Sequence, residues 1–261
     1  MIPHVRATTF LRGLSSGRTK PCLMLCEDED GNEEEVVVKL RAGIETKEMG
    51  STSELMAALF AQDLGLPVPS PRLVEIEKGF DRAVTQGEVL QRLRDSVGWN
   101  FGSKKLDPGF TTWPKDKPIP MSLRPLAAEI FAFDTIIQNP DRRRGNPNLL
   151  WKADELFIYD HELSLTFFLP TLGWQPPWTG RGLEFLRDHV FYEGLKGTGL
   201  SWDRFTGALE AITDKRLQKY IATVPDEWKA KSDAADKIME YFKEARRNRK
   251  ALITAITEML K

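Results

Sequence analysis

The stretch from residue 122 to residue 162 places the tightest limits on what this chain can become. Apolar residues stand at 123, 126, 127, 130, 131, 133, 136 and 137. A helix over 122–137 would carry them around most of its circumference, which suits a helix buried inside a protein. A polar loop follows, Gln138-Asn139-Pro140-Asp141-Arg142-Arg143-Arg144-Gly145-Asn146. Next come a strand over 148–151, a turn at 152–154 and a second strand over 155–159, ending on Asp160-His161-Glu162. A loop held between a buried helix and a hairpin can keep its side chains in fixed positions. Asp141 and Asn146 lie five residues apart in that loop, and the second strand delivers Asp160 to the same end.

Composition narrows the classes. With 261 residues, the chain suits one large domain or a unit of two lobes. An apolar content of 41% is enough for a packed core and argues against global disorder. Lys and Arg total 37 against 38 Asp and Glu, which disfavours a protein that coats nucleic acid or anionic membrane. The two cysteines, Cys22 and Cys26, share one face of a strand at a spacing too long for a disulfide, so buried free thiols are expected. They fit a reducing compartment. No apolar run reaches about eighteen residues and the N-terminus has no signal-peptide core, so a cytoplasmic protein without a membrane span is expected.

The N-terminal part reads as β-structure. Strands are expected over 5–11, 21–27 and 35–40, with a turn rich in Gly and Ser at 13–20 and an acidic turn at 28–32. Lys39 ends a Val-Val-Val run where a buried strand would stay apolar. It is either an edge-strand lysine or a cation kept there for a ligand. Residues 43–50 read as an exposed loop, and Ser51 or Thr52 as the cap of a helix closed by Gly65. Glu54, in the first turn, either complements the helix dipole or pairs with Lys39. A strand is expected over 72–77 and a linker between about 77 and 90. Residues 98–121 either line a cleft or connect over the surface. Trp174 and Trp178, in a Pro-rich stretch over 166–180, either receive a peptide or pack internally. Two or three helices broken at Gly194, Gly197 and Gly199 should follow. The chain should end in a long helical region with Ile238, Phe242, Ala245, Leu252, Ile256 and Leu260 in one stripe.

Asp141, Asn146 and Asp160, in that order of elements, resemble the base and two magnesium ligands of kinases. The Asn139-x-Asp141 start, the Asn five residues later and the Asp at a strand end are similar to the HipA-like kinases. The Leu64-Gly65-Leu66-Pro67-Val68-Pro69 string resembles them too. Asp141-Arg142 is also similar to the catalytic loop of phosphatidylinositol kinases. The sequence departs from ordinary protein kinases in having neither His-Arg-Asp nor Asp-Phe-Gly; His161 and Glu162 follow Asp160 instead. The specific part of the resemblance covers residues 36–69 and 126–162.

This resemblance implies an α+β, two-lobed protein-kinase-like fold. A small antiparallel sheet with one helix would form an N-terminal lobe over 1–88, and a mainly helical lobe would span 89–261. ATP and Mg2+ would sit between them. Asp141 would act as the base, and Asn146 and Asp160 would hold the metal. Lys39, steadied by Glu54, would bind phosphates under a loop that includes Ser16 and Gly17. Ser15 and Ser16 are candidate autophosphorylation sites, by analogy. The implied acceptor is a Ser or Thr hydroxyl of a protein partner, with no specific nucleic-acid binding. Other readings are a lipid or small-molecule kinase, a nucleotide-binding scaffold without turnover, and a structural α+β domain. The last would leave Lys39, Asp141, Asn146 and Asp160 apart in space.

Overall fold

Alternating apolar residues in the first third of the chain close into a barrel. The computed structural model describes residues 2–14, 17–85, 87–167 and 174–261. Its first strands are β1 (His4–Gly13), β2 (Cys22–Glu27) and β3 (Glu33–Lys39). After the helix α1 (Glu48–Asp63) comes β4 (Pro71–Ile76). After the helix α2 (Gly87–Arg94) comes β5 (Gly98–Lys104). The strand order around the barrel is β1-β2-β3-β5-β4. Every pairing is antiparallel except β1 with β4, which is parallel. The expected small antiparallel sheet is therefore a closed barrel with one parallel pairing, and closure removes the edges at which strands aggregate.

Period-2 alternation fills the barrel. Cys22, Met24, Cys26, Val36, Val38, Val74 and Ile76 form its core with Val5 and Ala7. Gly102 lets the walls meet: a Cβ there would lie 2.6 Å from Val74 Cγ2 and 2.7 Å from Val36 Cγ1. Leu73 and Phe101, partners across β4 and β5, turn outward instead and join the helical core. Both cysteines are buried and free, and burial pushes the Cys22 thiol up to about 11 and Cys26 to about 12.

Several expectations fail here. Residues 98–104 are not a surface connection but the strand that completes the barrel, so the sheet runs past the boundary expected at residue 88. Two glycines in β5 disguise it as a loop. The helix expected from residue 51 begins at Glu48, and Thr52 does not cap it; its hydroxyl donates to the Glu48 carbonyl one turn back at 2.8 Å. Nor is 43–50 an exposed loop. Gly50 is buried in α1, where a Cβ would meet Thr46 Oγ1 at 2.5 Å and Ile44 Cγ2 at 2.6 Å.

The rest of the chain is mainly helical. The short strand β6 (Thr111–Thr112) precedes α3 (Arg124–Ile137). The hairpin β7 (Leu149–Lys152) and β8 (Glu155–Ile158) follows, its register closing on Lys152↔Glu155, and β6 pairs with β7. Every residue of α3 from Ala127 to Ile137 is buried, as its all-round apolar pattern requires. Then come α4 (Tyr192–Leu195), α5 (Asp203–Ala211), α6 (Asp214–Thr223), α7 (Asp226–Lys229), α8 (Ala234–Arg247) and α9 (Arg249–Met259); α4 and α9 pack on α3, α7 and α8 on α1, α5 on α9 and α6 on α8. Gly194 sits inside α4 rather than breaking a helix; a Cβ there would lie 2.6 Å from Ile119 Cδ1. The stripe from Ile238 to Leu260 is buried as expected. Trp174 and Trp178 pack around Tyr241, at ring separations of 6.2 and 5.5 Å.

α1 packs against α7 and α8 on one side and against β4 and β5 on the other. Phe60 stacks on Phe242 of α8 at 4.0 Å, and Asp63 pairs with Arg216 of α6. At its other end, Glu48 accepts from Arg41 and Lys231 at 2.6 and 2.8 Å. α1 is thus held at both ends, which fixes the side chains on its barrel-facing side. Among the described residues no helix is long and apolar enough to cross a membrane.

Candidate active site

Three elements deliver one charged cluster. Lys39 ends β3 opposite Phe101 of β5, Glu54 lies in α1, and Asp160 follows β8. Lys39 Nζ donates to Glu54 Oε2 at 2.9 Å, to Asp160 Oδ1 at 2.6 Å and to Glu162 Oε2 at 3.4 Å. Lys39 and Asp160 are 121 residues apart in the chain. The backbone of Asp160 takes a φ of +64°, a left-handed conformation uncommon for a side-chain-bearing residue. The next amide, His161 N–H, donates to Glu54 Oε2 at 2.6 Å, so α1 and the segment after β8 are tied directly.

Burial alone would lower the Lys39 pKa, but attraction from Glu54, Asp160 and Glu162 overrides it and keeps the ammonium charged. Burial works against the Glu54 charge as well, yet Lys39 holds its carboxyl below the usual range. Glu162 goes the other way. Its burial outweighs Lys39, and with Asp160 and Glu54 beside it the carboxyl rises to about 7.

A second network shapes the loop after α3. Gln138 caps that helix in the left-handed region, with φ +50°. Asn139 Oδ1 accepts from Asp141 N–H at 3.0 Å, an Asx turn that aims the Asp141 side chain. Asn139 Nδ2 in turn donates to Asp134 Oδ1 at 3.0 Å. Arg142 is buried: its Nε donates to Asp134 Oδ2 at 2.6 Å, and its Nη1 to the carbonyls of Asn148 and Tyr159 at 2.5 and 3.2 Å. It therefore ties the residue after Asp141 to the residue before Asp160. His189 Nδ1 accepts from Phe191 N–H, so the ring proton is on Nε2, which donates to Asp134 Oδ2 at 3.0 Å. Burial would raise the Asp134 pKa, but Arg142 and His189 hold it at about 2.

Asp141 itself is half-buried. Its Oδ2 accepts from Asn146 Nδ2 at 2.9 Å and from Asn148 Nδ2 at 3.2 Å. Its Oδ1 lies 3.6 Å from Arg143 Nε, an exposed partner. The three arginines thus divide: Arg142 is scaffold, while Arg143 and Arg144 are exposed. His161 lies buried beside Glu54, its Nδ1 3.6 Å from Glu54 Oε1. Its ring packs edge-on against Phe133 at 5.6 Å, neither ring nitrogen has a hydrogen bond, and it is the backbone that donates.

The structure brings Lys39, Glu54 and Asp160 together, and links Asp141 with Asn146. Gly17 is different. It forms a turn with φ +89°, where its carbonyl accepts from Lys20 N–H, and Arg92 of α2 holds the carbonyls of Thr19 and Lys20. Those contacts hold residues 17–20, and none of them involves Lys39. Ser16, like Ser15, lies outside the described residues. Sequence reasoning gave no role to Glu162, Asp134 or His189. A charged residue in the apolar run of α3 was a readable sign for Asp134. His189 had none, because its partner is 55 residues away.

The oxygen-rich donor set suits a hard divalent cation. Glu54, Asp160 and Glu162 each offer an oxygen within 4.8 Å of the others, and Asn146, whose amide nitrogen is spent on Asp141, keeps its carbonyl oxygen for another partner.

In fold, the chain is similar to the crystal structure of the Helicobacter pylori proinflammatory kinase CtkA, with a TM-score of 0.53 over 94% of each chain at 15% identity. No match is found among curated proteins. The family model of the HipA-like kinases matches residues 8–252, nearly the whole length, and the chain belongs to that family.

Proposed function

We propose that this protein is an ATP- and magnesium-dependent kinase that transfers the γ-phosphate to a Ser or Thr hydroxyl of a protein, its own chain included. The observation that carries the reading is the convergence of Lys39, Glu54 and Asp160 from three distant elements, tied through Arg142 to the Asp141 loop. In this reading the barrel and the helical core are two lobes with the nucleotide between them.

Each residue then has a task. Lys39 contacts phosphate oxygens and Glu54 orients it. Asp160 and Asn146 would hold magnesium, which supplies charge neutralisation at the phosphates. Asp141 receives the acceptor hydroxyl. With Oδ2 committed to Asn146 and Asn148, Oδ1 is the oxygen that orients the hydroxyl and takes its proton. The Asp134–Arg142–His189 network keeps that carboxylate in place, so most of the rate enhancement comes from positioning and fixed charge. Two buried free thiols accord with the cytoplasm, where such an enzyme would meet ATP.

Calorimetric titration with ATP, with and without magnesium, tests the reading. Binding that magnesium strengthens supports it. A folded protein that binds ATP under neither condition refutes it.

A further inference from the structure

An ammonium group has three N–H donors, and in this structure Lys39 spends all three on carboxylates. A phosphate oxygen can be held only if one of those bonds is released. The three acceptors are not equally placed to let go. The side chains of Glu54 and Glu162 are 3% and 6% exposed, while that of Asp160 is 20% exposed. A ligand arriving from solvent meets the Asp160 side of the ammonium first, and the other two carboxylates stand behind it.

We infer that Glu162 is a positioning residue: together with Glu54 it holds Lys39 from behind while Asp160 is exchanged for nucleotide phosphate. This rests on the kinase reading of Lys39 and adds a second fixed anchor to it. Glu54 is the firmer of the two, because the His161 amide also holds it. Glu162 lies two residues beyond Asp160, so the same short segment carries the acceptor that leaves and the acceptor that stays. Without Glu162 the ammonium would have only Glu54 to oppose the pull of Asp160. The Lys39–Asp160 pair would tighten, and both phosphate and cation would then have to break it.

The test is the affinity for Mg-ADP, measured by calorimetry so that no turnover is needed. A hydrogen bond to a charged group contributes enough that Glu162→Ala is expected to weaken Mg-ADP about tenfold. Glu162→Gln keeps an acceptor oxygen for Nζ and should lose no more than about threefold. In a Lys39→Ala background, Glu162→Ala should add nothing, because a residue that acts through Lys39 has nothing left to position. Should Glu162→Ala not fold, Glu162→Asp, one methylene shorter, carries the same expectation. Unchanged affinity in Glu162→Ala overturns the inference. So does a loss of the same size with Lys39 absent, which would place Glu162 on the metal or in the fold alone. Wild-type protein that binds neither Mg-ADP nor Mg-ATP would instead remove the nucleotide reading itself.

Discussion

Replacing Asp134 by Asn isolates the charge that holds the Asp141 loop. Asp134 is fully buried against Arg142, whose side chain is also fully buried. Removing one member of a buried ion pair strands the other, at a cost of about 3–5 kcal/mol. Arg142 keeps its bonds to the Asn148 and Tyr159 carbonyls, and Asn keeps an acceptor, so the lower end applies, about 3 kcal/mol. For a chain of this size that is a fall in Tm of roughly 6–12 °C. The pH dependence gives a second handle. The Asp134 pKa is depressed in the folded state, from 3.8 to about 2, so its charge stabilises the protein above pH 4 and that stability is lost as pH falls towards 2. The shift corresponds to about 2 kcal/mol. His189 is also depressed, chiefly by burial, so it stays neutral when the unfolded chain would charge, and stability falls as pH drops below 6.5. Urea unfolding of both proteins at pH 7 and across pH 4–2 should show a gap that narrows in the acid range, where the unfolded wild-type chain takes up a proton that folded Asp134 does not. Asp134→Asn with a Tm within about 2 °C of wild type at pH 7 would refute the reasoning.

Gly102→Ala should destabilise by about 1–3 kcal/mol in urea unfolding, because the new methyl meets Val74 and Val36 inside the barrel; adding Val36→Ala should restore part of the loss. Cys22 and Cys26 should stay unreactive towards a disulfide reagent in the native protein and titrate together on unfolding, since both are fully buried with raised pKa values; rapid labelling of either would contradict their place in the core.

Local patterns made the elements around the Asp141 loop legible, but not the closure of the barrel. The all-round apolar run of α3, its polar loop and the two-residue hairpin turn are short-range features, and they place Asp141, Asn146 and Asp160 in order. The Lys39–Glu54 pair was one of two readings of Glu54, and only the packing of α1 against the barrel and α8 decides it. β5 escaped because its glycines answer to Val74 and Val36, residues far away in sequence. The start of α1 escaped because Thr52, a good capping residue by type, bonds back to Glu48 within the helix. Glu162 was in plain view after Asp160, but its contact with Lys39 depends on how Asp160 turns the chain, and no spacing rule carries that.

Transfer of radiolabelled γ-phosphate from Mg-ATP, measured side by side for the wild-type protein and Asp141→Asn, tests the central claim most directly. The substitution keeps an acceptor for Asn146 and Asn148 but removes the carboxylate that would take the hydroxyl proton. The account predicts incorporation into the chain itself or an added protein acceptor by the wild type, and a loss of about a hundredfold or more in Asp141→Asn with folding and Mg-ATP binding retained. Transfer at the wild-type rate by Asp141→Asn would contradict the assignment of the base and, with it, the account of the loop.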